Sequence, residues 1–96
     1  MPTATFESLT EGEVTLDFRA PRQSEVLACM AASAGVQTAA DAQAVHLDFL
    51  APLCDRDRSW LDDQVPFDVL AQIAAHLLAS RLPGEDVLGK SRVSLA

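Results

Sequence analysis

Cysteine is scarce in this chain, and so are the hydrophobic blocks that mark export or membrane insertion. The 96 residues include two cysteines, Cys29 and Cys54, each within an apolar helical pattern. Two such thiols are typical of small core residues rather than of a disulfide framework, which favours a reducing compartment. No apolar run approaches the ~20 residues that cross a bilayer, and the first residues lack the basic and apolar blocks of a signal peptide. We therefore expect a cytoplasmic protein that does not enter a membrane.

Basic residues are also few. Seven lysines and arginines stand against fourteen acidic residues, which gives a formal net charge of −7. A surface of that sign repels phosphate backbones and anionic membranes, so nucleic acid and membrane partners are not expected. Seven aspartates and two arginines fall between residues 41 and 68. This acidic segment leaves open a protein that mimics nucleic acid and inhibits a nucleic-acid-binding protein, although acidic faces are usually only solvated.

The first part of the chain predicts a β-hairpin. Residues 3–9 form a weak strand pattern anchored by Phe6, and Gly12 supplies a residue that tolerates the positive φ of a turn. The next strand alternates strictly, so its two faces differ in polarity. Its apolar face carries Val14, Leu16 and Phe18, and its polar face carries Glu13, Thr15, Asp17 and Arg19. An isolated hairpin is marginal in water, so the apolar face must be covered by helices or by another strand.

Three helices are predicted after the hairpin, at residues 21–34, 38–53 and 66–82. Apolar side chains at helical spacing are Val26, Leu27, Met30, Ala31 and Ala34 in the first, and Ala42, Val45, Phe49, Leu50 and Leu53 in the second. Residues 55–64 are rich in charge and predict a loop or a short irregular turn on the surface. The sequence thus indicates an α+β fold that is mainly α, with one globular domain at 1–83 and a mobile tail at 84–96.

The sequence motifs that could support a chemical function are weak. Gly84, Gly89, Lys90 and Ser91 match the phosphate-binding pattern G-x-x-x-x-G-K-[ST], but the required strand before it and helix after it are not predicted. A zinc site could use Cys29, His46, Cys54 and His76, but their spacings are irregular and include no paired ligand motif. A catalytic pair of Ser24 with His46 or His76 would depend on tertiary contact. We expect no enzymatic activity, no cofactor or metal, and no small-molecule substrate.

The third predicted helix is the most apolar segment and is the candidate partner-binding surface. Its candidate residues are Phe67, Leu70, Ile73, Leu77 and Leu78. They cover more than one narrow stripe, so most of this surface belongs to a core and the remainder is available to hold a partner helix.

The order of elements resembles the tail assembly chaperones of long-tailed bacteriophages. The resemblance spans residues 10–82 and is carried by three segments: Glu13-Val14-Thr15-Leu16-Asp17-Phe18-Arg19-Ala20-Pro21, Arg22-Gln23-Ser24-Glu25 and Pro66-Phe67-Asp68-Val69-Leu70. It implies a non-enzymatic protein that binds the tape measure protein and keeps this long apolar helical chain soluble in the host cytoplasm during tail morphogenesis. The resemblance also implies self-association. A ribosomal frameshift near the end of the gene often yields a longer form of such chaperones, and residues 88–90 are compatible with a slippery codon run.

Two other functions stay open from the sequence. One is a structural or adaptor component of a phage tail, such as a completion or connector protein, and the other is the acidic inhibitor described above.

Overall fold

The chain begins with the predicted hairpin. The computed structural model describes residues 2–79 and the backbone of residues 94–95. Strands β1 (Thr3–Glu7) and β2 (Glu13–Asp17) pair antiparallel, with Ala4 opposite Leu16 and Phe6 opposite Val14. Alternation sends one face of each strand into the protein, because successive side chains of a strand point to opposite sides. Ala4, Phe6, Leu16 and Phe18 are buried on that face.

The turn of the hairpin is fixed by hydrogen bonds. Gly12 has a φ of 78°, which is the left-handed conformation that the sequence assigned to this glycine. The backbone N–H and hydroxyl of Ser8 both donate to the Gly12 carbonyl, at 2.8 and 2.7 Å. The Gln64 side chain accepts from the backbone N–H and the hydroxyl of Thr10, at 3.1 and 2.8 Å. The turn is therefore attached to a helix far along the chain.

A third short strand, β3 (Ser94–Leu95), pairs antiparallel with β1 opposite Ala4 and Thr5. The sheet order is β2-β1-β3, which makes β1 the central strand. A mobile tail was predicted for residues 84–96. Ser94–Leu95 instead form this strand, because the free edge of β1 offers backbone partners, and the rest of the tail prediction lies outside the described residues.

The first two predicted helices are present, with shorter bounds. Helix α1 spans Gln23–Ser33 and helix α2 spans Ala39–Leu50. The Thr38 hydroxyl accepts from the N–H of Asp41 at 3.1 Å, which caps the start of α2 as the sequence predicted. After Leu50 the chain tightens into a single 3₁₀ turn, Ala51–Leu53, where the prediction continued the helix. Pro52 in this turn lacks an N–H and cannot continue an α-helical ladder.

The prediction of a loop at residues 55–64 is wrong. Helix α3 spans Arg58–Gln64, and the Asp57 carboxylate caps it by accepting from the N–H of Trp60 at 2.8 Å. Its charged residues face solvent while Leu61 is fully buried. A short helix with one fully buried side chain shows little apolar periodicity. The charged residues alone therefore suggested a loop.

Helix α4 spans Phe67–Ala79 and follows Pro66, whose carbonyl accepts from the N–H of Leu70 at 2.9 Å. Residues 80–82, also predicted to be helical, lie outside the described residues. Within the helix, Val69, Leu70, Ile73, Ala74 and Leu77 are buried.

Helix α2 lies at the centre of the helical layer and packs against α1, α3 and α4. The buried apolar side chains of the described residues form one cluster that joins the inner face of the hairpin to all four helices. The prediction of a mainly α fold with a small β part is confirmed. The helices cover the apolar face of the hairpin, which removes the cost of leaving it in water.

Candidate partner-binding surface

The most apolar residues of α4 do not form an open surface. Leu70 has no exposed surface, and Ile73 and Leu77 are each 1% exposed. These three candidates therefore belong to the part of the helix that was expected to form a core, and not to the remainder that was expected to hold a partner. The inner face of α4 packs against α2 and belongs to the same apolar cluster as the inner face of the hairpin. This packing buries the apolar side chains that make α4 the most apolar segment of the sequence.

The other two candidates on α4 differ. Phe67 is 48% exposed at the first position of the helix, and Leu78 is partly buried against the core. Phe67 is thus the one residue of the predicted set that offers a large apolar side chain to solvent. A single exposed aromatic ring does not make a docking surface, because isolated apolar residues are common on protein surfaces.

Helix α1 carries the more extensive exposed apolar surface. Val26 and Cys29 turn inward, whereas Leu27 is 56% and Met30 46% exposed. Ala31 and Ala34 are exposed as well and follow Leu27 at helical spacing, so these four residues share one side of the helix. We call Leu27, Met30, Ala31 and Ala34 the α1 face. The sequence grouped these residues, with Val26, along one side, and the structure turns all of them except Val26 to solvent.

A groove of about 190 Å³ lies between α1 and α2. Its apolar lining comes from Ala28, Cys29, Ala32, Val45, Phe49 and Pro52. Ala28 and Ala32 leave room because they carry only a methyl group. Around the helix axis, Ala28 and Ala32 lie about 100° and 140° from Leu27 in one direction, while Met30 lies about 60° from it in the other, so the groove and the α1 face occupy different sides of α1.

No charged residue occurs between Glu25 and Asp41. This stretch includes the α1 face and the connection to α2, where Gly35, Gln37, Ala39 and Ala40 are also exposed. In a chain of net charge −7 the region therefore stands out as neutral and apolar. The absence of charge over these residues is the sequence signal that could have located the surface.

Ion pairs border the groove. The Arg19 guanidinium donates to both carboxylate oxygens of Glu25, at 2.9 and 2.8 Å, and the N–H of Arg22 donates to the same carboxylate at 2.8 Å. These contacts lower the pKa of Glu25 to about 2, chiefly through the Arg19 side chain and then through the Arg22 backbone. Asp48 accepts from Arg58 at 2.9 Å. The carboxylates at the rim are therefore already paired.

The residues considered for zinc lie on separate elements. Cys29 is on α1, His46 on α2, Cys54 after the 3₁₀ turn and His76 on α4. Throughout the described part of the chain, no three His, Cys, Asp or Glu residues are placed to share a metal ion. Burial raises the pKa of the Cys29 and Cys54 thiols, so both favour the protonated form, which is a poor ligand and nucleophile.

No catalytic pair is formed by the residues that the sequence offered. Ser24 is exposed on α1, and no hydrogen bond between residues 2 and 79 joins it to a histidine. Burial lowers the pKa of His46, whose Nδ1 is buried and has no hydrogen-bond partner within the described region. The lowered pKa favours the neutral imidazole at this partly buried position. The phosphate-binding pattern at residues 84–91 lies outside the described residues.

The aspartates between residues 41 and 68 are all exposed. Several have structural roles: Asp41 accepts from the N–H of Gln37 at 3.2 Å, Asp57 caps α3, and Asp48 pairs with Arg58.

None of the described helices combines the length and the hydropathy needed to cross a bilayer.

Comparisons of the chain with protein-family models, with curated proteins and with solved structures gave no match.

Proposed function

We propose that the protein is a non-enzymatic chaperone that shelters an apolar helical segment of another protein on the α1 face. Within phage tail morphogenesis the client is the tape measure protein, as the resemblance over residues 10–82 suggests. The observation that carries the proposal is the exposed, charge-free apolar surface of α1, with Leu27 56% and Met30 46% exposed.

An apolar surface of this kind favours an apolar partner because contact removes both surfaces from water. Full burial of a leucine or methionine side chain is worth ~1.5–3 kcal/mol relative to full exposure. Leu27 and Met30 are partly exposed, so they provide a fraction of that energy each. Methionine is unbranched and adapts to differently shaped partners, which suits a protein that binds several segments of one long chain.

The α1 face suits a helical partner. An amphipathic helix carries apolar residues spaced by three and four positions, which is also the spacing of Leu27, Met30, Ala31 and Ala34. The alanines on α1 allow such a helix to approach closely, since interhelical distance depends on the side chains at the contact. The remaining surface carries the net charge of −7, which would keep a complex with an apolar client in solution.

The same surface allows two copies to associate when no client is bound, because they can meet there without bringing charges together. The proposed site of action is the host bacterial cytoplasm, before the tail tube polymerises.

The direct test is co-expression with a tape measure fragment. Leu27→Glu and Met30→Glu should each lower the yield of soluble fragment several-fold while the circular dichroism of the variant stays native. Leu9→Glu is the matched control, because Leu9 is 60% exposed but lies in the hairpin turn. If the α1 variants keep the fragment soluble as well as the unmodified protein does, the α1 face is not the client site.

Gene order and particle content test the biological assignment. A tape measure gene directly downstream, and a slippery codon run over residues 88–90 with an overlapping open frame, would support the chaperone. Recovery of the protein in purified phage particles would instead favour a structural tail component, since a chaperone leaves the finished tail. Specific capture of a host nucleic-acid-binding enzyme would favour the acidic inhibitor.

A further inference from the structure

Strand β2 has an open edge. Antiparallel pairing turns the backbone groups of alternate residues toward β1, as the bonds from Phe18 N–H to the Pro2 carbonyl and from Ser8 N–H to the Gly12 carbonyl show. The N–H and C=O groups of Glu13, Thr15 and Asp17 therefore point away from the hairpin. Within the described chain no backbone hydrogen bond reaches Glu13 or Thr15 from that side, whereas Asp17 lies beside the segment that bridges Phe18.

The open edge has a defined end. Phe18 forms an isolated antiparallel bridge with Cys54, and the Arg19 N–H donates to the Leu53 carbonyl at 2.8 Å. The chain after the 3₁₀ turn thus covers the β2 edge from Asp17 onward, and among the described residues it leaves Glu13 and Thr15 without a strand partner on that side. Such an edge is a template for an additional strand.

The side chains on the edge are acidic and lack cations. Glu13, Thr15 and Asp17 are exposed on the outer face of the hairpin, and Glu13 lies directly opposite Glu7 in the strand register. Like charges in this position repel each other. Among residues 2–79, neither Glu13 nor Asp17 forms an ion pair, because the nearby Arg19 is engaged by Glu25.

The acidic side chains of β2 determine which kind of strand can pair with its edge. A second copy pairing antiparallel about Thr15 would set Glu13 against Asp17 twice, so the chain's own β2 is a poor partner. A strand with lysine or arginine at alternate positions would place cations beside the carboxylates while its backbone completes the ladder.

We propose that the β2 edge is a strand-addition site for an extended cationic segment of another protein. The site lies on a different element from the α1 face and does not depend on the proposed chaperone function.

Titration with a synthetic peptide tests the inference. The probe is an acetylated seven-residue peptide that alternates lysine and valine, and the readout is amide chemical shift and hydrogen exchange in the protein. We expect saturable binding with slowed exchange at the Thr15 amide. The same peptide with alternate backbone amides methylated keeps its charge but cannot form the ladder, and should bind at least tenfold more weakly. Equal affinity of the two peptides would overturn the proposal.

Charge variants test the location. Glu13→Lys should weaken peptide binding at least tenfold, whereas Asp63→Lys, an equal change of charge on an exposed residue of α3, should have less than a threefold effect. Equal losses would show long-range attraction only and would contradict a site at the edge. Leu27→Glu should leave the affinity within threefold, which separates this site from the α1 face. Sedimentation that reveals a dimer of the unmodified protein, strengthened by Glu13→Lys because lysine would then face Asp17, would assign the edge to a second copy and overturn the inference.

Discussion

Glu25 joins the end of the hairpin to the start of α1. Its carboxylate accepts from the Arg19 guanidinium and from the Arg22 N–H, so it serves as an ion-pair partner and as part of a helix cap. Acidic residues in the first turn also interact favourably with the helix dipole. These contacts stabilise the charged form of Glu25.

We predict that the stabilising effect of Glu25 depends on pH. Its pKa falls from 4.5 to about 2 on folding, so the contribution is fully present above about pH 4.5 and disappears as the pH falls toward 2. Urea unfolding of Glu25→Gln should show lower stability than the unmodified protein at pH 7 and a smaller difference at pH 3. Asp63→Asn is the control, because Asp63 has no ion pair in the described region. A difference that stays constant with pH would contradict the assignment.

Leu70 and Phe67 test which part of α4 belongs to the core. Leu70 is 0% and Phe67 48% exposed, so truncation should affect them differently. Leu70→Ala should lower the free energy of unfolding by ~2–5 kcal/mol because it leaves a cavity. Phe67→Ala should cost less than ~1 kcal/mol, as for other exposed positions. Chemical denaturation measures both, and a Leu70→Ala protein of full stability would show that the side chain is not a core residue.

At the scale of elements, α3 holds the hairpin turn in place. Trp60 donates from its indole N–H to Glu11 at 3.0 Å, and Arg56 lies 4.5 Å above the indole ring. The Gln64 carbonyl accepts from the Leu9 N–H at 2.9 Å. Helix α3, which the sequence pattern did not predict, thus connects the sheet to the helical layer.

The cap of α3 should be measurable on its own. Asp57→Ala removes the acceptor for the Trp60 N–H and should destabilise the protein by ~0.5–2 kcal/mol. Asp63→Ala on the same helix removes a carboxylate that caps nothing and should change stability by less than ~0.5 kcal/mol. Thermal and urea unfolding compare the two, and equal effects would show that general charge, not capping, is responsible.

For the whole molecule, net charge and the α1 face act in opposite directions. The charge of −7 keeps copies apart, while the neutral apolar face favours contact between them. The balance changes near the isoelectric point of about 4.5, where repulsion between copies is lost.

We predict reversible self-association through the α1 face as the pH approaches 4.5. Light scattering should detect it in the unmodified protein, and Leu27→Gln, which leaves the charge unchanged, should reduce it. Phe67→Gln is the control at an exposed apolar residue outside the α1 face. Equal suppression by both variants would indicate non-specific association at low charge.

Local sequence determined the elements whose signals are local. Strict alternation around Leu16 defined the two faces of the hairpin, Gly12 marked its turn, and Thr38 marked the start of α2, because each depends on backbone geometry within a few residues. The small helix at α3 was missed since its one inward anchor, Leu61, gives no periodicity.

Tertiary packing alone decided which apolar surfaces face solvent. Helix α1 has apolar residues on most of its sides, so spacing could not distinguish the side that contacts α2, at Val26 and Cys29, from the side that carries Leu27 and Met30. Helix α4 was the predicted binding surface, yet its inner residues fill the core between α2 and the hairpin. Periodicity specifies how apolar residues are grouped, but only the positions of neighbouring elements determine which group is buried.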